Sequence, residues 1–175
     1  MKEILLKQIK AAIELWDTTD IYVISLFVYD ENDNPLEPTV TLGYNTYSNF
    51  QENIDSAWDE SEAKWNYAYW LQNEEFVFGI GETKQIVQNW ISKNAVSIEF
   101  YTLDEEESSI TNLFIKTLVD IVKKLHSSGF IKEKFGKEIP IIIHELEYYD
   151  EIAEQNIEAN GLELVQDFVD FCYGL

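Results

Sequence analysis

The sequence predicts an α+β fold: a small, mainly antiparallel sheet, built from an early hairpin and one later strand, packed on one side with several amphipathic helices. Three observations predict it. The run Ile21-Tyr22-Val23-Ile24-Ser25-Leu26-Phe27-Val28-Tyr29 is β-branched and aromatic, apolar on both faces and short, which describes a central strand. Thr39-Val40-Thr41-Leu42-Gly43-Tyr44 alternates after a turn-forming stretch, so the two runs make a hairpin. Most of the remaining chain repeats its apolar residues at spacings of three and four.

Taken in order, Leu5, Ile9, Ala12, Ile13 and Trp16 fall on one face and predict a helix over 2–16 that stops at Asp17-Thr18-Thr19-Asp20. The hairpin follows, its acidic loop running from Asp30 to Pro35. Two helices are expected over 48–58 and 60–71, the second opened by Asp59 and Glu62 in the geometry of a capping box. On that helix Trp65, Ala68 and Tyr69 share a face and Trp70 points elsewhere, while Trp58 stands at the junction before it. Phe76-Val77-Phe78 leads through Gly79-Ile80-Gly81 into a helix carrying Ile86, Val87, Trp90 and Ile91 and ending near Asn94. The cleanest helical periodicity is Ile110, Leu113, Phe114, Leu118, Ile121, Val122 and Leu125, bounded by Asp104-x-x-Glu107 and Gly129. Ile139 to Glu147 reads as a strand entered by Pro140, Asp150 to Asn160-Gly161 as a capped helix, and Leu164, Val165, Phe168, Val169 and Cys172 as a last apolar helix face. No linker or repeat interrupts this order, so residues 1–175 are expected to form a single globular domain.

Charge is the strongest compositional feature. Thirty-three acids oppose twelve bases, every base is lysine, and the formal net charge is −21. Nucleic acid and anionic membrane are thereby disfavoured as partners, and without arginine there is no bidentate clamp on phosphate or carboxylate. The N-terminus lacks the pattern of a signal peptide, no apolar run reaches a membrane span, and the lone Cys172 suits a reducing compartment, so a cytoplasmic protein is expected.

Motifs for catalysis and cofactors are incomplete. Gly79-Ile80-Gly81 lacks the third glycine of a dinucleotide loop, and Gly136-Lys137 is followed by Glu138 where a phosphate loop needs a hydroxyl. Asp30-x-Asn32-x-Asn34 opens like a calcium loop but continues with Pro35 and reaches Thr41 at the twelfth place. His126, His144 and Cys172 are dispersed, so neither metal nor cofactor is expected. Cys172 on an apolar face reads as a small core residue rather than a nucleophile. Acidic clusters remain: Asp59-Glu60-Ser61-Glu62, Asp104-Glu105-Glu106-Glu107, Glu74-Glu75 and Tyr148-Tyr149-Asp150-Glu151. Each sits near a helix start, where it meets the positive end of the helix dipole. That local role does not require an excess this large, and such a surface attracts basic partners. The expected binding residues are Trp58, Asp59, Glu60 and Glu62, together with Asp104, Glu105, Glu106 and Glu107, facing a basic protein partner.

The block Trp-Asp-Glu-Ser-Glu-Ala-Lys-Trp-Asn-Tyr-Ala-Tyr-Trp from Trp58 to Trp70, behind its strand and hairpin, resembles a bacterial family of unknown function, DUF 4303. The resemblance extends over most of the chain, although Lys64 stands before Trp65 where a typical member has arginine. It implies a cytosolic companion of polymorphic toxins, an immunity role, and no catalytic residues. The α+β order and acidic, tryptophan-bearing surface are also similar to the SMI1/KNR4-like immunity superfamily. The competing expectation is a small enzyme or ligand-binding domain with a pocket between sheet and helices, and the third is an assembly module.

Overall fold

The computed structural model describes residues 1–30, 34, 36–94 and 103–175, with backbone alone for 103–109. Four strands form one mixed sheet in the order β3-β2-β1-β4, comprising β1 (Ile21–Asp30), β2 (Pro38–Thr46), β3 (Phe76–Phe78) and β4 (Ile141–His144). The hairpin and β3 pair antiparallel, while β4 runs parallel to β1. The helices are α1 (Lys2–Glu14), α2 (Tyr47–Asn53), α3 (Glu60–Trp65), α4 (Gly81–Asn94), α5 (Leu103–Ser127), α6 (Phe130–Phe135), α7 (Asp150–Asn160) and α8 (Leu162–Cys172). The fold is α+β, as the sequence predicts.

The expectation that helices cover one side is corrected: both faces of the sheet are packed. Ile24, Leu26 and Val28 of β1 with Ile141 and Ile143 of β4 meet α1, α4 and α5 in one core cluster. Tyr22 and Val23 with Ile142 meet Phe50, Trp65, Ile152, Val165 and Phe168 in the second. The reason lies in β1 itself, since a strand apolar on both faces needs cover on both. In β2, Gly43 is required by close approach, because a Cβ there would sit 2.5 Å from the carbonyl oxygen of Asn73.

β4 is a short edge strand whose open side is closed by a helix. Asn156 and Asn160, four apart on α7, present their amides to the strand as a neighbouring strand would. Asn156 accepts from Ile143 N at 2.8 Å and donates to Ile143 O at 2.7 Å. Asn160 does the same for Ile141 at 2.9 and 3.0 Å. This blunts the edge against pairing with another chain. Asn156→Ala strands the buried Ile143 N–H, while Ile143 O keeps its bond from Gln155 Nε2 at 2.9 Å, and is expected to cost about 1–3 kcal/mol, read from denaturant melts; a loss below about 0.5 kcal/mol would show that the strand edge finds other partners.

Candidate functional site

The lysines are unevenly distributed over the fold. Eleven of the twelve lysines lie in residues 1–16 and 84–137, the segments that build α1, α4, α5, α6 and the turns beside them. Although Lys123 reaches Glu158 of α7 at 2.6 Å and Lys137 lies 5.6 Å over the Tyr47 ring of α2, the helices α2, α3, α7 and α8 themselves contain Lys64 alone. That lysine is engaged: its Nζ lies 2.9 Å from Asp167 Oδ2, tying α3 to α8, and 5.0 Å over the Trp65 ring. Residues 138–175 carry ten acids and no lysine. Screening spreads little field beyond about 8 Å in physiological salt, so these few lysines offset only the carboxylates next to them.

Trp58, just before α3, is 93 % exposed, the most exposed large hydrophobic side chain among the described residues. The chain turns there from a short 3-10 helix at Ile54–Ser56 into α3. Asp59 Oδ1 accepts from Glu62 N at 2.8 Å, and Glu62 Oε2 accepts from Trp58 N at 2.6 Å. The capping box thus closes one residue earlier than its usual form and fixes the backbone that presents the indole. The cap uses one oxygen of each carboxylate and leaves a second on Asp59 and on Glu62. Glu60 is exposed beside them, as are Glu52 and Asp55. Asp104, Glu105, Glu106 and Glu107 belong to the first turns of α5, and their side chains lie outside the described residues.

The expected helix over 60–71 is corrected, because α3 ends at Trp65. Asn66 is extended and turns its side chain onto Ala68 N, starting a 3-10 turn over Tyr67–Tyr69. This local asparagine turn outcompetes the helix, so Trp65 and Tyr69 do not share a helix face. Trp65 and Trp70 are the buried ones, at 4 and 5 % exposure, with Tyr69 half-buried. The Lys64 carbonyl holds the arrangement, accepting from Tyr22 Oη at 2.6 Å and Trp70 Nε1 at 2.9 Å. Burial pushes the Tyr22 phenol above its usual range.

Behind these rings lies a nucleophile-like pair that sequence reasoning missed. Ser25 Oγ is 2.8 Å from His144 Nε2, and His144 Nδ1 is 3.0 Å from the carbonyl oxygen of Glu145. A carbonyl only accepts, so Nδ1 carries the proton and Nε2 accepts from the serine. The geometry is that of a base beside a hydroxyl. However, Ser25 is 3 % and His144 0 % exposed, walled by Phe27, Tyr67, Trp70 and Tyr148. No substrate reaches it, and burial lowers the imidazole to about 4, keeping it neutral. The sequence held one signal, a histidine at the end of an otherwise apolar strand.

A groove of about 910 Å³ lies at the elbow between α7 and α8 and is lined by Lys123, His126, Glu138, Glu158, Asn160 and Leu162 among others. Its polar side chains are partnered, with Lys123 Nζ 2.6 Å from Glu158 and His126 Nδ1 2.7 Å from Glu138. Among the described residues no group of three or more His, Cys, Asp or Glu is placed to hold a metal ion. Cys172 is half-buried against the second core cluster, and burial, then Asp150, pushes its thiol up to about 12, away from nucleophilic use. Among the described residues no helix is long and apolar enough to cross a membrane. No family model matches this chain, and no curated protein or solved structure matches it.

Proposed function

We propose that this chain is a non-enzymatic acidic binding protein that captures a basic protein domain, and that it serves as a bacterial cytoplasmic immunity protein against a cationic toxin domain such as a nuclease. One observation carries the capture mode: a tryptophan 93 % exposed on a capped turn beside the carboxylates of Asp59 and Glu62, among helices whose own one lysine is held by Asp167. An aromatic side chain supplies contact area at low entropic cost, and the surrounding carboxylates pair with the Lys and Arg that otherwise grip phosphate. The sealing of Ser25 and His144 favours binding over catalysis at that pair. The immunity role rests on the family resemblance of the Trp58 to Trp70 block.

The test is to purify the basic domain encoded beside this chain and titrate the protein into its activity assay. Loss of activity at equal stoichiometry is expected. A neighbourhood without such a domain, or full activity at excess protein, would contradict the immunity role. The complex should also weaken about tenfold or more from low to high salt, measured by calorimetry, because its rim charges are exposed and screened. An affinity independent of salt would remove the electrostatic basis.

A further inference from the structure

The acidic helices bear a second exposed apolar surface, formed where the end of α8 meets the start of α7. The two helices fold back on each other around Gly161, and the end of α8 meets the loop before α7 where Phe171 packs against Tyr148 at 5.8 Å between ring centroids. Leu146, Tyr149 and Tyr173 stand out from this junction at 67, 43 and 41 % exposure. Beneath them Tyr148 packs edge-on against His144, Phe168 and Phe171, anchoring the loop that presents Leu146 and Tyr149. Within five residues along the chain from these three side chains lie Glu145, Glu147, Asp150, Glu151, Glu154 and Asp170, and among the described residues none of the six is ion-paired. Burial, then Glu145 and Glu151, pushes the Tyr149 phenol up to about 12, in keeping with its place among carboxylates.

We propose that this junction is a second docking surface, for a segment of the basic partner that combines lysine or arginine with an apolar side chain. The inference rests on the acidic-capture reading and adds a location and a sequence character to it. The rim decides the sign of the occupant. A second copy of this chain would set like charges face to face across a two-fold contact, and anionic lipid or nucleic acid would be repelled. The tyrosines and Leu146 demand apolar contact as well, since rim charge alone contributes more to encounter than to lifetime.

The experiment titrates the isotope-labelled protein with the peptide Lys-Leu-Lys-Lys-Leu-Lys at low salt and follows amide and indole signals by NMR. The amides of Asp150, Glu151 and Gly174 should shift, and Tyr149→Ser with Tyr173→Ser should weaken binding about tenfold at unchanged melting temperature. Leu146→Ser, on the loop, provides the same readout should the double variant lose structure. Unmoved amides at the junction, or affinities within about twofold of wild type in these variants, would overturn the proposal. The Trp58 indole N–H reports separately in the same spectra. Movement there without movement at Gly174 overturns the junction alone, and stillness at both overturns the capture reading with it.

Discussion

Trp65→Ala is expected to cost about 3–5 kcal/mol of folding free energy, the range for truncating a large aromatic side chain in a packed core. Trp65 is 4 % exposed and packs edge-on against Tyr22 and Phe168, so its removal opens a cavity between α3, β1 and α8. It also removes the ring over which Lys64 lies while bridging to Asp167. Trp58→Ala, at a position 93 % exposed, should change stability by less than about 0.5 kcal/mol. Denaturant melts of the two variants separate the roles. Equal damage would place Trp58 in the core rather than on the surface.

The second large effect is acid destabilisation through His144. Its neutral form is held by full burial, which lowers the group from 6.5 to about 4 in the folded protein. The unfolded chain therefore binds a proton first as pH falls. The stabilisation is complete above 6.5, declines through the window between 6.5 and 4, and is gone below it. A shift of this size corresponds to about 3 kcal/mol. The control is Ser25→Ala with His144→Phe, which removes the titrating ring without leaving the serine hydroxyl unpaired. Wild-type stability should fall relative to the control across this window. The carboxylates that begin to titrate in the same range are common to both proteins and cancel in the difference. Parallel curves would contradict the assignment of the loss to His144.

The fold was legible where a pattern is strictly local. The α5 periodicity, the apolar β1 run and the Asp59 cap follow from spacing and chemistry that neighbouring residues impose on one another. The cover on both sheet faces was implied by β1, apolar on each side, yet helix amphipathicity alone does not say which face a helix takes. The break at Asn66 was hidden because Trp65, Ala68 and Tyr69 also fit a continuous helix, and the competing turn depends on one side-chain hydrogen bond. The candidate site divides in the same way. The exposure of Trp58 could be argued from its place before a cap, whereas the uneven distribution of lysines over the fold required knowing which helices share a side of the sheet. The loop bearing Tyr149 and the end of α8 bearing Tyr173 meet only through the α7–α8 hairpin, where Tyr148 packs against Phe171, and nothing local pairs them.

The most direct test of the central claim is the affinity of Trp58→Ala for the basic domain encoded beside this chain, measured by calorimetry at physiological salt together with its melting temperature. The account predicts affinity reduced about tenfold or more, the loss that defines a binding hot spot, with the melting temperature unchanged. Wild-type affinity in this variant would contradict it.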